Sequence, residues 1–360
     1  KGFITPSVPF AERWFITMKA LVLEEPYHIR LRDVDLPILE DGEALIKVLS
    51  VAICGSDIHA YKGEQAIFSY PRIMGHEVCG RIEKIQGGSG NFCVGDRVIV
   101  MPYVNCKACI ACRKRKPGCC ENLRVMGVHT DGAMAEYCKA KEEYLIKVDD
   151  TIEAQTACLI EPLAISAHAV ANSKLQKGEN ILIIGCGPIG IGAAEIAKTY
   201  DAKVILADTS GERREIAKSR FGYEHVLNPL DSEYRKALEE LTGKDMPDVI
   251  IDSTGNAESM SGVFEYLSYG GRVVYVGIAS RTLSIKHVEF HKRQTELYGS
   301  RAATKEDFEY VMDCIAKGKV DPKRFITDHM RFNSEIQEQF EKAVEKGIKI
   351  FKGVINFEEE

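Results

Sequence analysis

The chain has 360 residues, of which 45% are hydrophobic and 28% are charged, and its formal net charge is −6. At roughly 150 residues per domain this length suggests about two domains, and the composition excludes disordered, collagen-like and coiled-coil proteins. The acidic balance argues against a general nucleic-acid binder, and no apolar run approaches the roughly 20 residues of a membrane span. We therefore expect no nucleic-acid or membrane partner, and a cytoplasmic location. Residues 1–17 carry no signal-peptide pattern, and the first regular pattern opens at Met18, so 1–17 is expected to be an extension or added leader.

The first part of the chain, to about Asp150, has the pattern of short strands joined by glycine-rich turns. Apolar runs predict strands at 44–48 and 97–100, and the glycines at 87–90 predict a turn. The stretch 106–120 has no hydrophobic periodicity and is rich in cysteine. This part is therefore expected to be strand-rich, with one irregular lobe.

The pattern changes near Cys158, where apolar strands begin to alternate with helical segments. The expected elements are strand 181–184, helix 189–200, and strands 204–207, 248–252 and 272–277. Repetition of strand, helix and strand favours a doubly wound parallel sheet. The elements expected after this sheet are helices at 305–317 and 335–346 and a closing strand at 348–355.

A glycine-rich motif follows the first strand of this sheet and opens its first helix. Gly185, Gly187 and Gly190 form G-x-G-x-x-G, and Asp208 ends the next strand. Such glycines permit a tight turn, close approach of the backbone to a pyrophosphate, and close packing of helix on strand. The order of strand, glycines, helix, strand and acid predicts a dinucleotide site. NAD is favoured over NADP, because a 2′-phosphate would meet the carboxylate of Asp208.

Further contacts of this cofactor site are expected at the start of the helix and at later strand ends. Arg213 lies close to Asp208 and keeps NADP open as a less favoured cofactor. The remaining candidate contacts are Pro188, Ile189, Thr254, Val276, Gly277 and Ile278. A glycine-rich turn that binds no ligand is the alternative interpretation.

Four cysteines in the irregular stretch have the spacing of zinc ligands. They are Cys106, Cys109, Cys112 and Cys120. Four thiolates can close a tetrahedron around one zinc ion, and a site closed in this way leaves no open position, so structural zinc is expected. Disulfides or free thiols are the alternative, and the basic residues around the cysteines leave a nucleic-acid zinc ribbon as a less favoured one.

Further motifs complete a recognisable order along the chain. These are Cys54-Gly55-Ser56-Asp57-Ile58-His59, Gly75-His76-Glu77, Gly95-Asp96-Arg97-Val98 and Glu161-Pro162-Leu163. Together with the cysteine lobe and the glycine motif, they closely resemble the zinc-dependent medium-chain dehydrogenase/reductase family over nearly the whole chain from Met18.

This resemblance implies an α/β fold class with two domains, between which substrate and nicotinamide meet. A GroES-like, strand-rich catalytic domain would take residues 18–165 and 302–360. A Rossmann domain with a doubly wound parallel sheet would take residues 166–301. Members of the family are usually dimers or tetramers, so a homo-oligomer is expected.

The resemblance also assigns a catalytic zinc. It makes Cys54 and His76 ligands, and it places Glu161 where simple alcohol dehydrogenases have a cysteine ligand, as in the sorbitol dehydrogenase branch. Glu77 is expected to be an alternating ligand or a neighbour of the ligands, which leaves open which glutamate touches zinc. One thiolate, one imidazole and one carboxylate leave an open position on zinc, where a bound hydroxyl is acidified.

Two more residues have a place in the family pattern as a proton relay to solvent. They are Ser56 and His59, and such general acid–base help is worth roughly 10²–10⁴-fold in rate. A turn hydroxyl and a surface histidine are the alternative interpretations, because water or cofactor hydroxyls can serve the same purpose.

The sequence indicates the substrate less directly than it indicates the metal and cofactor sites. Glu161-Pro162 favours polyols over ethanol, and segments 127–132 and 300–304 resemble bacterial sugar-acid dehydrogenases that oxidise L-galactonate or L-idonate at carbon 5. Arg301 is the first candidate to bind a substrate carboxylate, which an arginine can do with two parallel hydrogen bonds. His129 is a second, weaker candidate, and His168 is expected to be structural.

The leading hypothesis is an NAD-dependent zinc oxidoreductase acting on a polyol or a sugar acid as its small-molecule substrate. An enzyme of the L-threonine dehydrogenase type, or another secondary alcohol dehydrogenase of the same superfamily, is the alternative within enzymes. A non-catalytic NAD- or zinc-binding protein is the alternative from another class.

Overall fold

The computed structural model describes residues 17–347 and 350–357, and its elements are numbered in chain order. The strands are β1 (Thr17–Glu25), β2 (His28–Asp35), β3 (Glu43–Ala52), β4 (Arg72–Ile73), β5 (Glu77–Gln86), β6 (Arg97–Val100), β7 (Tyr103–Val104), β8 (Arg124–Val125), β9 (Tyr137–Lys141), β10 (Leu145–Lys147), β11 (Asn180–Ile184), β12 (Lys203–Ala207), β13 (Val226–Leu227), β14 (Val249–Asp252), β15 (Arg272–Tyr275), β16 (Glu296–Gly299), β17 (Asp328–Arg331) and β18 (Gly353–Asn356). The helices are α1 (Gly55–Tyr61), α2 (Ile110–Arg113), α3 (Ala154–Ala157), α4 (Ile160–Asn172), α5 (Pro188–Lys198), α6 (Gly211–Ser219), α7 (Tyr234–Leu241), α8 (Ala257–Gly262), α9 (His287–Lys292), α10 (Lys305–Ala316) and α11 (Ile336–Lys346). Short 3₁₀ turns lie at Pro117–Cys119, Glu142–Tyr144, Val263–Tyr266 and Pro322–Phe325.

Strands from both ends of the described chain build one seven-stranded sheet. Its order is β10-β6-β5-β3-β18-β17, with β9 also pairing with β3. Strand β18 lies antiparallel to β3, with Val354 opposite Ala52, and β17 lies parallel to β18. A smaller sheet, β2-β1-β4, shares a buried apolar core with it that includes Leu21 and Ile46. The C-terminal strands therefore return to the sheet that the N-terminal strands began.

The middle of the chain forms a separate, fully parallel sheet of six strands. Its order is β13-β12-β11-β14-β15-β16. The apolar run in β11 is buried along its length, as expected for a strand that helices cover on both faces. The order reverses direction at β11, and ligands of such sheets bind at the carboxyl ends of the strands beside that point. The prediction of an α/β chain with a strand-rich part and a doubly wound parallel sheet is confirmed.

The predicted closing strand at 348–355 is wrong at residues 350–352, which belong to no strand. The amides of Phe351 and Lys352 point to the side-chain oxygen of Thr327, 2.9 Å and 3.3 Å away, so the backbone joins a neighbouring strand only from Gly353. Residues 348–349 of that prediction lie outside the described residues. Of the expected leader, 1–16 lie outside them too, and Thr17 opens β1. The domain boundaries at 165/166 and 301/302 stay a prediction.

No helix within 17–347 and 350–357 is long and apolar enough to cross a membrane. All twelve cysteines of the chain lie in the described part, and none of them forms a disulfide.

Candidate active site

Three potential metal ligands meet where neighbouring elements begin. Cys54 directly precedes α1, His76 directly precedes β5, and Glu77 is the first residue of β5. Because β3 pairs with β5 and sets Ala52 opposite Glu77, the turn after β3 carries Cys54 to the start of β5. One ligand atom from each of the three side chains lies within 4.8 Å of the other two. The fold thus brings together a thiol, an imidazole and a carboxylate from two separate motifs.

The electrostatics of this cluster suit a bound cation. Burial disfavours the charged ring of His76, but the neighbouring Cys54 and the nearby acids outweigh it and raise the pKa of His76 well above its usual value. Burial raises the pKa of Glu161 to about 7, and the charge of Glu77 adds to the effect. The shift of His76 reflects the negative charge around its ring, which a divalent ion would neutralise, whereas the shift of Glu161 follows mainly from its burial.

One buried oxygen of the cluster has no partner among the described residues. Glu77 is fully buried, and its Oε2 makes no hydrogen bond. An unpaired buried carboxylate oxygen is costly, whereas a metal bond would satisfy it. Zinc accepts this mixture of sulfur, nitrogen and oxygen ligands, so the residues present fit a catalytic zinc with an open position.

Asp57 fixes the backbone of both ligand motifs. Its Oδ2 accepts a hydrogen bond from the backbone amide of Cys54 at 2.9 Å, and its Oδ1 accepts one from the amide of Gly75 at 3.4 Å. The same Oδ1 lies 3.9 Å from Nδ1 of His76, beyond hydrogen-bond distance, and that nitrogen has no hydrogen-bond partner among the described residues. His76 therefore keeps a buried ring nitrogen that a metal bond could satisfy.

Lys352 holds the carboxylate of Glu77. Its Nζ donates to Oε1 of Glu77 at 2.6 Å and to the carbonyl of Ile53 at 3.1 Å. The lysine is only 4% exposed, and Glu77 raises its pKa even though burial works against the charge. The ammonium therefore fixes one oxygen of Glu77 and leaves the other oxygen for a metal.

Glu161 lies beside the three donors and does not complete their set. It stands in the first turn of α4 and is almost fully buried. Its Oε1 accepts a hydrogen bond from the hydroxyl of Tyr103. The thiol of Cys158, three residues earlier, contacts the carbonyl of Gln155 instead. The geometry thus favours Glu77 over Glu161 as the direct ligand in this conformation.

The two relay candidates occupy different surroundings. The hydroxyl of Ser56 is buried and has no hydrogen-bond partner among the described residues. His59 is exposed, and its Nδ1 lies 2.8 Å from a carboxylate oxygen of Glu64. One group lies inside the protein and the other at its surface, as the two ends of a proton path require.

The four cysteines of the lobe form a second potential metal site. Their sulfur atoms all lie within 4.8 Å of one another. Cys120 Sγ accepts from the amide of Cys106 at 3.2 Å, and Cys106 Sγ accepts from the amide of Cys109 at 3.4 Å. Backbone amides lower the pKa of Cys106 to about 6. Cys119 is exposed and stands outside this set, so these contacts fit a closed, four-thiolate structural zinc.

The glycine motif forms a tight turn between β11 and α5. Gly185 has φ +100°, a conformation that favours glycine. A Cβ on Gly190 would lie 1.8 Å from the carbonyl oxygen of Gly185, so helix and strand meet too closely for any side chain. A Cβ on Gly187 would meet nothing within 4 Å, which leaves open space in front of the helix N-terminus at Pro188 and Ile189. This arrangement suits a pyrophosphate.

Asp208 ends β12 next to that turn. Its Oδ2 accepts from the amide of Cys186 at 2.7 Å, and its Oδ1 accepts from the amide of Ser210 at 2.8 Å. Arg213 turns toward the C-terminal segment, where its guanidinium lies over the ring of Phe351 and its Nη2 contacts the carbonyl of Ile350 at 3.4 Å. The carboxylate is thus fixed beside the glycine turn.

The later cofactor candidates lie at the carboxyl ends of β14 and β15. The amide and hydroxyl of Thr254 donate to Asp252, and the amides of Val276 and Gly277 donate to the carbonyl of the same residue. Ile278, the next residue, is 93% exposed. These positions share the edge of the sheet where the glycine turn lies.

The substrate candidates differ in whether their side chains already form hydrogen bonds or ion pairs within the protein. Arg301 follows the carboxyl end of β16, is exposed, and has no side-chain hydrogen bond or ion pair within the described ranges. Nδ1 of His129 already accepts a hydrogen bond from the amide of Val125 at 3.0 Å. His168 lies 2.7 Å from Asp307, which fits the expected structural role.

Sequence reasoning gave no role to three residues that the structure places at the site: Asp57, Tyr103 and Lys352. Asp57 stands inside the Cys54 motif, so the motif itself could have pointed to it. Lys352 was visible as one of two lysines, with Lys349, in an otherwise apolar C-terminal run. Tyr103 carries no signal in the sequence that we can identify.

Comparisons with known proteins identify the family of the chain. The model of the alcohol dehydrogenase GroES-like domain matches residues 40–150, and that of the zinc-binding dehydrogenase matches residues 188–317. The chain is 40% identical to L-galactonate-5-dehydrogenase of Escherichia coli (strain K12), over 95% of this chain and 99% of that protein. It is 30% identical to sorbitol dehydrogenase of Bacillus subtilis (strain 168), over 91% of this chain and 94% of that protein.

A solved structure extends the likeness to the whole fold. The alcohol dehydrogenase RspB of Escherichia coli CFT073, in complex with NADH, superposes with a TM-score of 0.88 at 29% identity, covering 95% of this chain and 99% of that one. The chain therefore belongs to the zinc-dependent medium-chain dehydrogenase/reductase family, and it is a zinc-dependent NAD(P) alcohol or polyol dehydrogenase.

Proposed function

We propose that the chain oxidises a secondary hydroxyl of a sugar acid to a ketone with NAD, at carbon 5 of an aldonate such as L-galactonate or L-idonate. The observation that carries the proposal is the convergence of Cys54, His76 and Glu77, in a chain that is similar over nearly its full length to an L-galactonate-5-dehydrogenase.

Two zinc ions belong to this proposal. Cys54, His76 and Glu77 would hold the catalytic ion, with Glu161 beside it as the alternating partner. When bound, this ion supplies a Lewis acid with an open position that acidifies the substrate hydroxyl. The four lobe cysteines would hold the structural ion.

The chain's own residues then orient the site and move the proton. Asp57 fixes the backbone at Cys54 and Gly75, and Lys352 fixes the carboxylate of Glu77. Ser56 accepts the hydroxyl proton and releases its own, which leaves toward His59 and solvent through cofactor hydroxyls or water. A nicotinamide bound at the glycine motif would take the hydride from the substrate carbon, so the net products would be a ketone, NADH and one proton.

Asp208 supports NAD as the cofactor. Its carboxylate is fixed by two backbone amides at the end of β12, where the adenosine ribose of a dinucleotide lies in this kind of sheet. A carboxylate accepts hydrogen bonds from both ribose hydroxyls and repels a 2′-phosphate. Arg213 is engaged with Phe351 and Ile350, which weakens the case for NADP.

Arg301 supports a carboxylate-bearing substrate. Its guanidinium is exposed and unpartnered among the described residues, and it follows the carboxyl end of β16, at the sheet edge that carries the cofactor candidates. An arginine in this state can bind a carboxylate with two parallel hydrogen bonds. His129 would contribute its remaining ring nitrogen, Nε2, to substrate hydroxyls.

The proposal includes a homo-oligomer in the cytoplasm. Strand β16 is the edge of the parallel sheet, and no described strand pairs with its outer side. Leu297 on this strand and Val288 in the preceding helix are exposed apolar residues, a combination that favours pairing with a second copy. The absence of disulfides among the described residues supports a reducing compartment.

An NAD-coupled assay with L-galactonate, L-idonate, sorbitol and L-threonine tests the substrate class. We expect NADH to form fastest, in kcat/KM, with one of the two aldonates. A higher kcat/KM for L-threonine than for either aldonate would indicate an amino-alcohol dehydrogenase. A higher kcat/KM for sorbitol would indicate that the substrate is a polyol without a carboxylate.

A further inference from the structure

The cysteine lobe connects the two strands of an antiparallel ribbon, β7 and β8, next to the candidate active site. Its four cysteines lie between β7 and β8, and these strands pair with Tyr103 opposite Val125. The amide of Met126 donates to the carbonyl of Pro102 at 3.0 Å, directly beside this pair. The base of the lobe is therefore fixed on both strands.

From this base a single side chain reaches a catalytic carboxylate. Tyr103 stands three residues before Cys106, and its hydroxyl donates to Oε1 of Glu161. Lys352 contacts Glu77 and not Glu161, so the two active-site glutamates have different partners. No lysine or arginine among the described residues pairs with Glu161, which makes Tyr103 its one side-chain donor in that part of the chain.

The lobe and its base also contact the two candidate substrate-binding residues, His129 and Arg301. His129 forms two hydrogen bonds with Val125, the cross-strand partner of Tyr103: its Nδ1 accepts from the amide at 3.0 Å, and its own amide donates to the carbonyl at 2.8 Å. A Cβ on Gly118, within the lobe, would lie 2.8 Å from the carbonyl oxygen of Arg301. The lobe and its base therefore contact Glu161 and both substrate candidates, His129 and Arg301.

We propose that Tyr103 is a positioning residue that orients the Glu161 carboxylate toward the substrate, and that the closed cysteine lobe keeps Tyr103 in place. The inference rests on the proposed function of the site. It gives the second metal a role in the reaction geometry as well as in folding, because loss of the lobe metal would release the strand that carries Tyr103.

The test compares two hydroxyl deletions at the base of the lobe. Tyr103→Phe removes the contact with Glu161. Tyr144→Phe is the matched control, because the Tyr144 hydroxyl accepts from the amide of Asn105 at 3.3 Å in the same region and touches no active-site carboxylate. We expect Tyr103→Phe to lower kcat roughly 10- to 100-fold, the worth of a hydrogen bond to a charged group, with little change in KM. Tyr144→Phe should leave both constants near the wild-type values.

A double-mutant cycle shows whether the effect runs through Glu161. In a Glu161→Gln background, Tyr103→Phe should have little further effect on kcat, because the interaction is already altered. Equal losses from Tyr103→Phe in both backgrounds, or equal losses from Tyr103→Phe and Tyr144→Phe, would overturn the proposal.

Cobalt substitution gives a readout that does not depend on turnover. With Co²⁺ in the catalytic site, Tyr103→Phe and the lobe variant Cys112→Ser should shift the visible absorption bands in the same direction, because a Glu161 carboxylate released from Tyr103 can take its alternating place on the metal. Tyr144→Phe should leave the bands unchanged. Unchanged bands in Tyr103→Phe would contradict the positioning role. If the wild-type protein oxidised no substrate of the panel, the proposed function would fail while these spectra still decided the role of Tyr103.

Discussion

At the scale of single residues, buried polar groups fix two of the three positions that we propose for the catalytic zinc. Asp57 accepts a hydrogen bond from the backbone amide of Cys54, and Lys352 donates to the carboxylate of Glu77. These contacts bring the Cys54 and Glu77 donors close to His76 before any ion binds. Preorganisation of this kind determines the affinity of a metal site.

Lys352→Met should weaken the catalytic zinc and leave the lobe zinc in place. The substitution removes the ammonium from Oε1 of Glu77, so the carboxylate is no longer fixed, and loss of such a partner typically costs 10- to 100-fold in metal affinity. Competition of each protein with a chelator measures the two affinities separately. Lys346→Met is the control, because Lys346 pairs with Asp328 at the surface; unchanged catalytic-site affinity in Lys352→Met would contradict this role.

Arg301→Lys should affect substrates with a carboxylate and spare those without one. A lysine keeps the charge and loses the two parallel hydrogen bonds. We expect KM for an aldonate to rise roughly 10-fold, the worth of one charged hydrogen bond, with KM for sorbitol unchanged. Steady-state kinetics with both substrates makes the comparison, and an equal change in both would mean that Arg301 does not contact the carboxylate.

The difference between predicted and missed site residues follows from sequence distance. Cys54, His76 and the glycine turn belong to short local motifs, so the order of these motifs predicted them. Lys352 lies 275 residues from its partner Glu77, and Tyr103 lies 58 residues from Glu161. Only the pairing of β18 with β3 and the position of the lobe bring these residues to the site, and no local pattern encodes those contacts.

At the scale of elements, two glycines in the turn between β11 and α5 should have different roles, one in folding and the other in cofactor binding. Gly190→Ala should destabilise the protein, because its Cβ would lie 1.8 Å from a backbone oxygen that cannot move away cheaply. Gly187→Ala should fold normally and bind NADH more weakly, because its Cβ enters the open space in front of the helix. Thermal unfolding and NADH fluorescence titration distinguish the two. Normal NADH binding by Gly187→Ala would place the pyrophosphate elsewhere.

Elements were predicted well where burial alone determines them. The apolar runs in β11 and β12 have no other stable place than a covered sheet, so their positions could be predicted from the sequence. The closing strand was predicted too long, because the amides of Phe351 and Lys352 bond to the hydroxyl of Thr327. That partner is a side chain distant in sequence, which the apolar pattern does not reveal.

At the scale of the whole molecule, the chain leaves its first sheet, builds a second one, and returns. The strand order β13-β12-β11-β14-β15-β16 creates a cofactor crevice, and the insertion of β18 between β3 and β17 brings Lys352 to the metal cluster. Residue patterns alone predicted strands and helices, and the family resemblance supplied this connectivity.

The proposed oligomer depends on the free edge of β16. Leu297→Lys places a charge on this edge, where it opposes pairing with a second copy. We expect a lower molar mass in solution than for the wild-type chain, measured by light scattering after size exclusion. An unchanged molar mass would mean that the edge of β16 is not the interface between the copies.

We propose above all that the Cys54, His76 and Glu77 cluster holds the zinc that supports catalysis. Zinc content, measured together with NAD-dependent oxidation of an aldonate, tests it most directly in wild type, Cys54→Ser and the control Cys119→Ser. We predict about two zinc ions per chain for wild type and Cys119→Ser, and about one, with activity reduced to background, for Cys54→Ser. Full zinc content and full activity in Cys54→Ser would show that Cys54 is not a ligand of a zinc ion needed for catalysis.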